Sequence, residues 1–125
     1  MKGFGLHLTL DGYGDRQDLL ADSKLVREVL NSLPNLLQMR KILEPKVLWY
    51  DGGEKPEDRG VSGFVMIAES HIAIHTFSQK NFLTADIYSC KWFDAEKAIV
   101  YFKKAFGLKK IETEISQRGL QFPRT

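Results

Sequence analysis

From Phe4 to Leu10 the chain alternates: Phe4, Leu6, Leu8 and Leu10 are apolar, while Gly5, His7 and Thr9 between them are small or polar. A period of two predicts a half-buried β-strand over residues 3–10, and Asp11-Gly12-Tyr13-Gly14 behind it has the composition of a turn. The period changes at Asp22. Leu25, Val26, Val29, Leu30 and Leu33 fall on one helical stripe, with Asp22 or Ser23 as N-cap and Pro34 expected to break or restart the helix. Lys46 to Tyr50 (KVLWY) predicts a short strand that enters a mobile polar loop, Asp51 to Asp58. Three further strand-like runs, Ser62–Ala68, Ile72–Phe77 and Leu83–Cys90, are separated by breaks so short that they imply antiparallel hairpins.

Asp94 is placed to cap a second helix, with Ala98, Ile99, Phe102 and Phe106 on one side and Gly107 as its stop; a last strand covers about Lys109 to Ile115. Strand, helix, several strands, helix, strand predicts a single α+β domain over 1–125. It is a two-layer sandwich with a mainly antiparallel sheet and two helices on one face. The other sheet face is left for a partner sheet or a site.

Charge narrows the function classes. Lys plus Arg is 18 and Asp plus Glu is 16, a formal net charge of +2, which lacks the basic footprint of a nucleic-acid binder. The pairs Lys103–Lys104 and Lys109–Lys110 read as the solvated rims of a helix end and a strand start. A single cysteine, Cys90, excludes an intramolecular disulfide and favours a reducing compartment. With no signal-length apolar stretch and no run approaching the ~18 apolar residues of a membrane span, the expectation is a cytoplasmic protein without a membrane partner.

Candidate chemistry is concentrated between Gly60 and Cys90, where Ser62, Ser70, His71, His75, Asp86 and Cys90 interrupt strongly apolar strands. His71 and His75 suggest metal at first sight, but four residues of strand span ~13 Å, too far for one ion to bridge, so no metal is expected. A Ser-His-Asp hydrolase would need a G-x-S-x-G elbow between strand and helix, which neither Ser62 nor Ser70 has. A Cys90–His75 nucleophile pair stays open. Singly, each residue has an ordinary structural role, as a small buried thiol or a hydrogen-bonded imidazole.

Taken together, Gly60-Val61-Ser62-Gly63, then Ala68-Glu69-Ser70-His71-Ile72-Ala73-Ile74-His75-Thr76, then Asp86-Ile87-Tyr88-Ser89-Cys90 resemble the prokaryotic S-adenosylmethionine decarboxylases, which are pyruvoyl-dependent. The resemblance is specific over Gly60–Cys90; outside it the chain agrees in pattern and length. It implies a proenzyme that cleaves itself between Glu69 and Ser70 into 1–69 and 70–125. Ser70 would become the pyruvoyl cofactor that forms a Schiff base with the substrate amine. It implies that Ser62 and His75 assist processing, His75 by proton transfer, and that Cys90 is the later proton donor. A tight, strained turn before Ser70 would favour the acyl shift. It also implies a homodimer of processed protomers sharing site residues, and a small-molecule substrate, S-adenosylmethionine, converted into the aminopropyl donor of spermidine biosynthesis.

The chain departs from the family where relatives continue His-Thr with Trp-Pro-Glu; here the residues are Phe77-Ser78-Gln79. Phe77 keeps an aromatic face for adenine, whereas Gln79 offers the ribose hydroxyls a neutral acceptor in place of a carboxylate. Two alternatives therefore stand beside the main reading: a decarboxylase of free arginine or ornithine, and a non-catalytic dimeric relative that never cleaves.

Overall fold

The computed structural model describes residues 3–123. In chain order its elements are β1 (Gly5–Gly14), α1 (Gln17–Leu20), α2 (Ser23–Leu36), β2 (Lys46–Tyr50), β3 (Gly60–Ile67), β4 (Ser70–Phe77), β5 (Phe82–Ser89), α3 (Ala95–Phe106) and β6 (Leu108–Arg118). The strands form one antiparallel sheet in the order β2-β3-β4-β5-β1-β6. This is the expected α+β sandwich.

Local chemistry sets the helix ends. Asp22 Oδ1 accepts hydrogen bonds from the Lys24 and Leu25 N–H groups at 2.9 and 3.1 Å, and Asp94 Oδ1 accepts from Lys97 N–H at 3.3 Å, satisfying donors that a first helical turn leaves unpaired. Gly107 closes α3 in the left-handed conformation, φ 61°, which costs glycine nothing. Val26, Val29, Leu30 and Leu33 of α2 and Ala98, Phe102 and Phe106 of α3 are buried on the sheet. They meet the inward positions Leu8, Leu10, Val61, Val65, Ile72, Ile74, Leu83 and Ile87 in one core. Strand alternation then leaves His7, Ser62, Phe64, His71, His75, Phe77, Asp86 and Tyr88 on the sheet face away from the helices.

Three expectations are corrected. Asp11–Gly14 is not a turn: β1 continues to Gly14, because neighbours β5 and β6 pair with it on both sides. Gly12 is there for packing, since a Cβ would stand 2.6 Å from Leu108 Cδ1. Pro34 lies inside α2, in its last turn, and its carbonyl accepts the returning Met39 N–H at 2.7 Å. The loop after β2 is pinned: it holds a short 3₁₀ turn, Pro56–Asp58, and Lys80 Nζ donates to Asp58 Oδ1 at 2.6 Å. The Asp58 carboxylate holds the Lys80 ammonium above the usual lysine range. The four-residue α1 has no sequence period to announce it; it is tied down by the buried Thr76 hydroxyl, which donates to Leu20 O at 2.7 Å. No helix among the described residues is long and apolar enough to cross a membrane.

Candidate functional site

Ile67 pairs with Ser70, so Ala68 and Glu69 alone make the turn between β3 and β4. Two-residue hairpins favour turns with positive φ, which suit glycine and asparagine and match the twist of the strands. Neither Ala68 nor Glu69 has positive φ; the non-glycine residues that do, among those described, are Gln38, Ser70 and Asn81. Ser70 has φ 156°, a positive value that a residue with a side chain rarely adopts. The turn is tight as expected: its two corner residues have negative φ, and the backbone strain stands on Ser70, the residue directly after it.

The carbonyl oxygen of Glu69 accepts the Cys90 backbone N–H at 2.8 Å. This bond extends the β4–β5 ladder one step beyond the Ser70–Ser89 pair. It brings Glu69, Ser70 and Cys90 together at one end of the sheet. Ser70 and Cys90 are both partly exposed. The fully buried Ser89 hydroxyl fixes the bend behind them, donating to Lys91 O at 2.8 Å and accepting Lys91 N–H at 3.1 Å.

Ser62 and His75 are directly opposed on β3 and β4, and Ser62 Oγ and His75 Nδ1 are hydrogen-bonded at 3.0 Å. Beside this pair opens a cavity of about 580 Å³ whose walls include Arg27, Lys46, Leu48 and Phe64. A second, of about 310 Å³, is lined by Tyr50, Asp58 and Phe77 together with Ser62 and His75. Gln79 is exposed on the 3₁₀ turn after β4 and lines neither cavity.

The structure thus forms two groups and keeps them apart. His75 stands five strand residues from Ser70, about 16 Å along β4. Its neighbour on β5 is Thr84, six residues before Cys90, so one chain does not form the Cys90–His75 pair that the sequence left open. Between the groups lies a polar cluster: His7 Nε2 and His71 Nε2 approach the same Asp86 oxygen at 2.9 and 3.4 Å. The Tyr88 ring stands beside both imidazoles, and the Arg118 guanidinium lies 4.5 Å from its centroid. His71 and His75 therefore serve different partners. Sequence reasoning marked His71 and Asp86 but passed over His7, 79 residues distant from Asp86. The alternation in β1, which puts His7 opposite the leucines, was the available signal. Lys91 was also passed over, and Asp58 was read only as the end of a polar loop.

A family model described as S-adenosylmethionine decarboxylase matches residues 6–119. An S-adenosylmethionine decarboxylase proenzyme of Clostridium botulinum (strain Langeland) is 32% identical over 120 residues, 95% of this chain and 97% of that one. The proenzyme of Pyrococcus furiosus is 31% identical over 124 residues, 97% of this chain and 83% of its own length. Among solved structures, the adenosylmethionine decarboxylase of Aquifex aeolicus superposes with a TM-score of 0.78 at 29% identity, covering 95% of this chain and 93% of that one.

Proposed function

Because the chain belongs to the S-adenosylmethionine decarboxylase family, we propose that it breaks its own Glu69–Ser70 bond and that the matured product removes the carboxylate of S-adenosylmethionine. The observation that carries this reading is the Glu69 carbonyl, held by the Cys90 N–H at 2.8 Å directly before a partly exposed serine.

Ser70 Oγ adds to the Glu69 carbonyl carbon, and the C–N bond breaks as an ester forms, freeing the Ser70 amino group. Charge developing on the carbonyl oxygen falls on the Cys90 N–H, a fixed donor already in place. Loss of the Ser70 Cα proton expels Glu69 as a carboxylate and leaves dehydroalanine; tautomerisation and water then release ammonia and leave a pyruvoyl group at residue 70. The products are 1–69 and 70–125. The fit of the group to the site is favourable: residue 70 begins a strand, its side is open, and its neighbours Cys90 and Glu69 are polar. When present, the pyruvoyl carbonyl supplies the electron sink for decarboxylation.

Proton movement needs His75, oriented by Ser62, because imidazole is the side chain suited to it near neutral pH. At about 16 Å along the strand it cannot serve Ser70 of its own chain. A second copy of the open sheet face, turned over by a two-fold axis, lays one copy's Ser62–His75 pair on the other's Ser70 and Cys90, completing two sites at once. The face suits such burial: Leu48, Phe64 and Met66 on it are 59%, 43% and 41% exposed. Phe77 and Tyr50 offer aromatic faces to adenine, and the Asp58 carboxylate stands beside them where Gln79 does not. Cys90, at the Ser70 end, donates the proton that replaces the lost carboxylate. A lone thiol and the absence of a spanning helix among the described residues suit a cytoplasmic enzyme, its product the aminopropyl donor of spermidine biosynthesis.

Denaturing mass spectrometry of purified protein should show 1–69 and a 70–125 piece that phenylhydrazine or cyanoborohydride modifies at its first residue. Carbon dioxide should be released from S-adenosylmethionine and not from arginine or ornithine. A single intact mass in catalytically competent protein, or release from a free amino acid alone, would overturn the assignment.

A further inference from the structure

We infer that Lys91 and the segment following α2, residues 38–42, form a clamp that holds Glu69 in place before and after its peptide bond breaks, with Lys91 as a positioning residue; this rests on the self-cleavage proposed above. The tip of a two-residue hairpin is ordinarily among the freest parts of a sheet. Here it is fastened on the carbonyl side of the scissile bond at several atoms. Ala68 N–H donates to Arg40 O at 2.8 Å, and Arg40 N–H donates back to Glu69 Oε1 at 3.3 Å. Lys91 Nζ lies 3.8 Å from Glu69 Oε2 and donates to Gln38 O at 2.8 Å, tying the carboxylate to the segment after α2. The Glu69 side chain is 17% exposed as a result.

Gln38 shows what this arrangement demands of the backbone. It adopts the left-handed conformation, φ 60°, which non-glycine residues avoid, and so turns the chain out of α2 with its carbonyl towards Lys91. Lys41 bridges to Ile67 and Ile42 N–H donates to Met66 O at 3.1 Å, so the segment runs beside the end of β3 like an added edge.

All these anchors grip residues up to Glu69, whereas Ser70 is held through its backbone pairings with Ile67 and Ser89. During the acyl shift the Glu69 carbonyl carbon is the fixed partner and the Ser70 side chain is the group that rotates onto it. Once the bond is cut, Glu69 becomes a chain end with a new carboxylate and no covalent tether. The same contacts, with the Lys91 ammonium as the neighbouring cation, hold it beside the new terminus of residue 70.

The test is the rate of cleavage of freshly purified proenzyme, followed by intact mass. A wild-type chain that never divides refutes self-cleavage itself; the clamp is judged once division is seen. Lys91→Met should slow cleavage about tenfold, in the range expected when reacting atoms are held less well, and Lys91→Arg should restore most of the rate. Glu69→Gln should also slow cleavage, and adding Lys91→Met to it should cost little more, since both remove one interaction. In the uncleavable Ser70→Ala background, Lys91→Met should leave the melting temperature nearly unchanged, as expected for a half-exposed ion pair. Cleavage of Lys91→Met at the wild-type rate overturns the clamp, as does a slowing that arginine fails to relieve or that adds in full to the effect of Glu69→Gln.

Discussion

The Glu69 carbonyl oxygen and the Cys90 backbone N–H are hydrogen-bonded at 2.8 Å, and it is the main chain of Cys90, not its thiol, that reaches the bond proposed to break. Two tasks proposed for one residue therefore reside on different atoms. Cys90→Ala keeps the N–H and loses Sγ: it should still divide at Glu69–Ser70, while decarboxylation falls about 100-fold or more, the usual worth of a general acid. Intact mass reads the first and carbon dioxide release the second. Normal turnover would remove Cys90 as the proton donor.

The proposed sharing of a site between two copies makes a sharper prediction. Ser70→Ala alone and His75→Ala alone should each stay as one undivided chain. Co-expressed with distinguishable tags, the His75→Ala chain should be cut, because the Ser70→Ala chain can lend it an intact His75. If both chains remain whole in a purified mixed dimer, the proton-transfer group acts within its own chain and the separation along β4 has been misread.

The outer strands offer a pH test away from the site. Tyr13 Oη–H donates to Glu112 Oε1 at 2.5 Å, and this bond, with the nearby negative charge, raises the phenol above its ordinary range near 10. A raised pKa means that the protonated form is the one favoured by folding. Its contribution is complete below the ordinary tyrosine value and is lost as pH climbs through the raised one. Of the four tyrosines, Tyr13 should ionise late in an alkaline absorbance titration, and Glu112→Ala should move that step down. An unchanged titration would refute the pairing in solution.

Phe102 of α3 is fully buried in the core between helix and sheet. Phe102→Ala should destabilise the fold by about 3–5 kcal/mol, through lost transfer energy and the cavity left behind. Urea unfolding of the Ser70→Ala background, which avoids mixing intact and divided chains, would measure it; a loss below about 1 kcal/mol would mean that the core re-closes around the gap.

Much of the architecture can be read along the chain because its causes are local. Asp22 and Asp94 cap helices with their own side chains, Gly107 stops one by taking a conformation that other residues avoid, and KVLWY, rich in residues that favour strands, pairs with β3. Where reading failed, a non-local contact had overruled a local preference. Asp11 to Gly14 looks like a turn, yet two flanking strands supply hydrogen bonds that hold it extended. Asp51 to Asp58 looks mobile, yet Lys80 pins it.

The site divides along the same line. The spacing of Glu69, Ser70, His75 and Cys90 is written in the chain, and with it the family whose chemistry those residues fit. Strand register alone decides that Ser62 meets His75, that Glu69 meets Cys90, and that the two pairs stand apart on one open face. Register is settled by how whole faces of side chains bury against the helices, since a slip of one residue would turn every buried side chain outward. No short stretch of sequence contains that information.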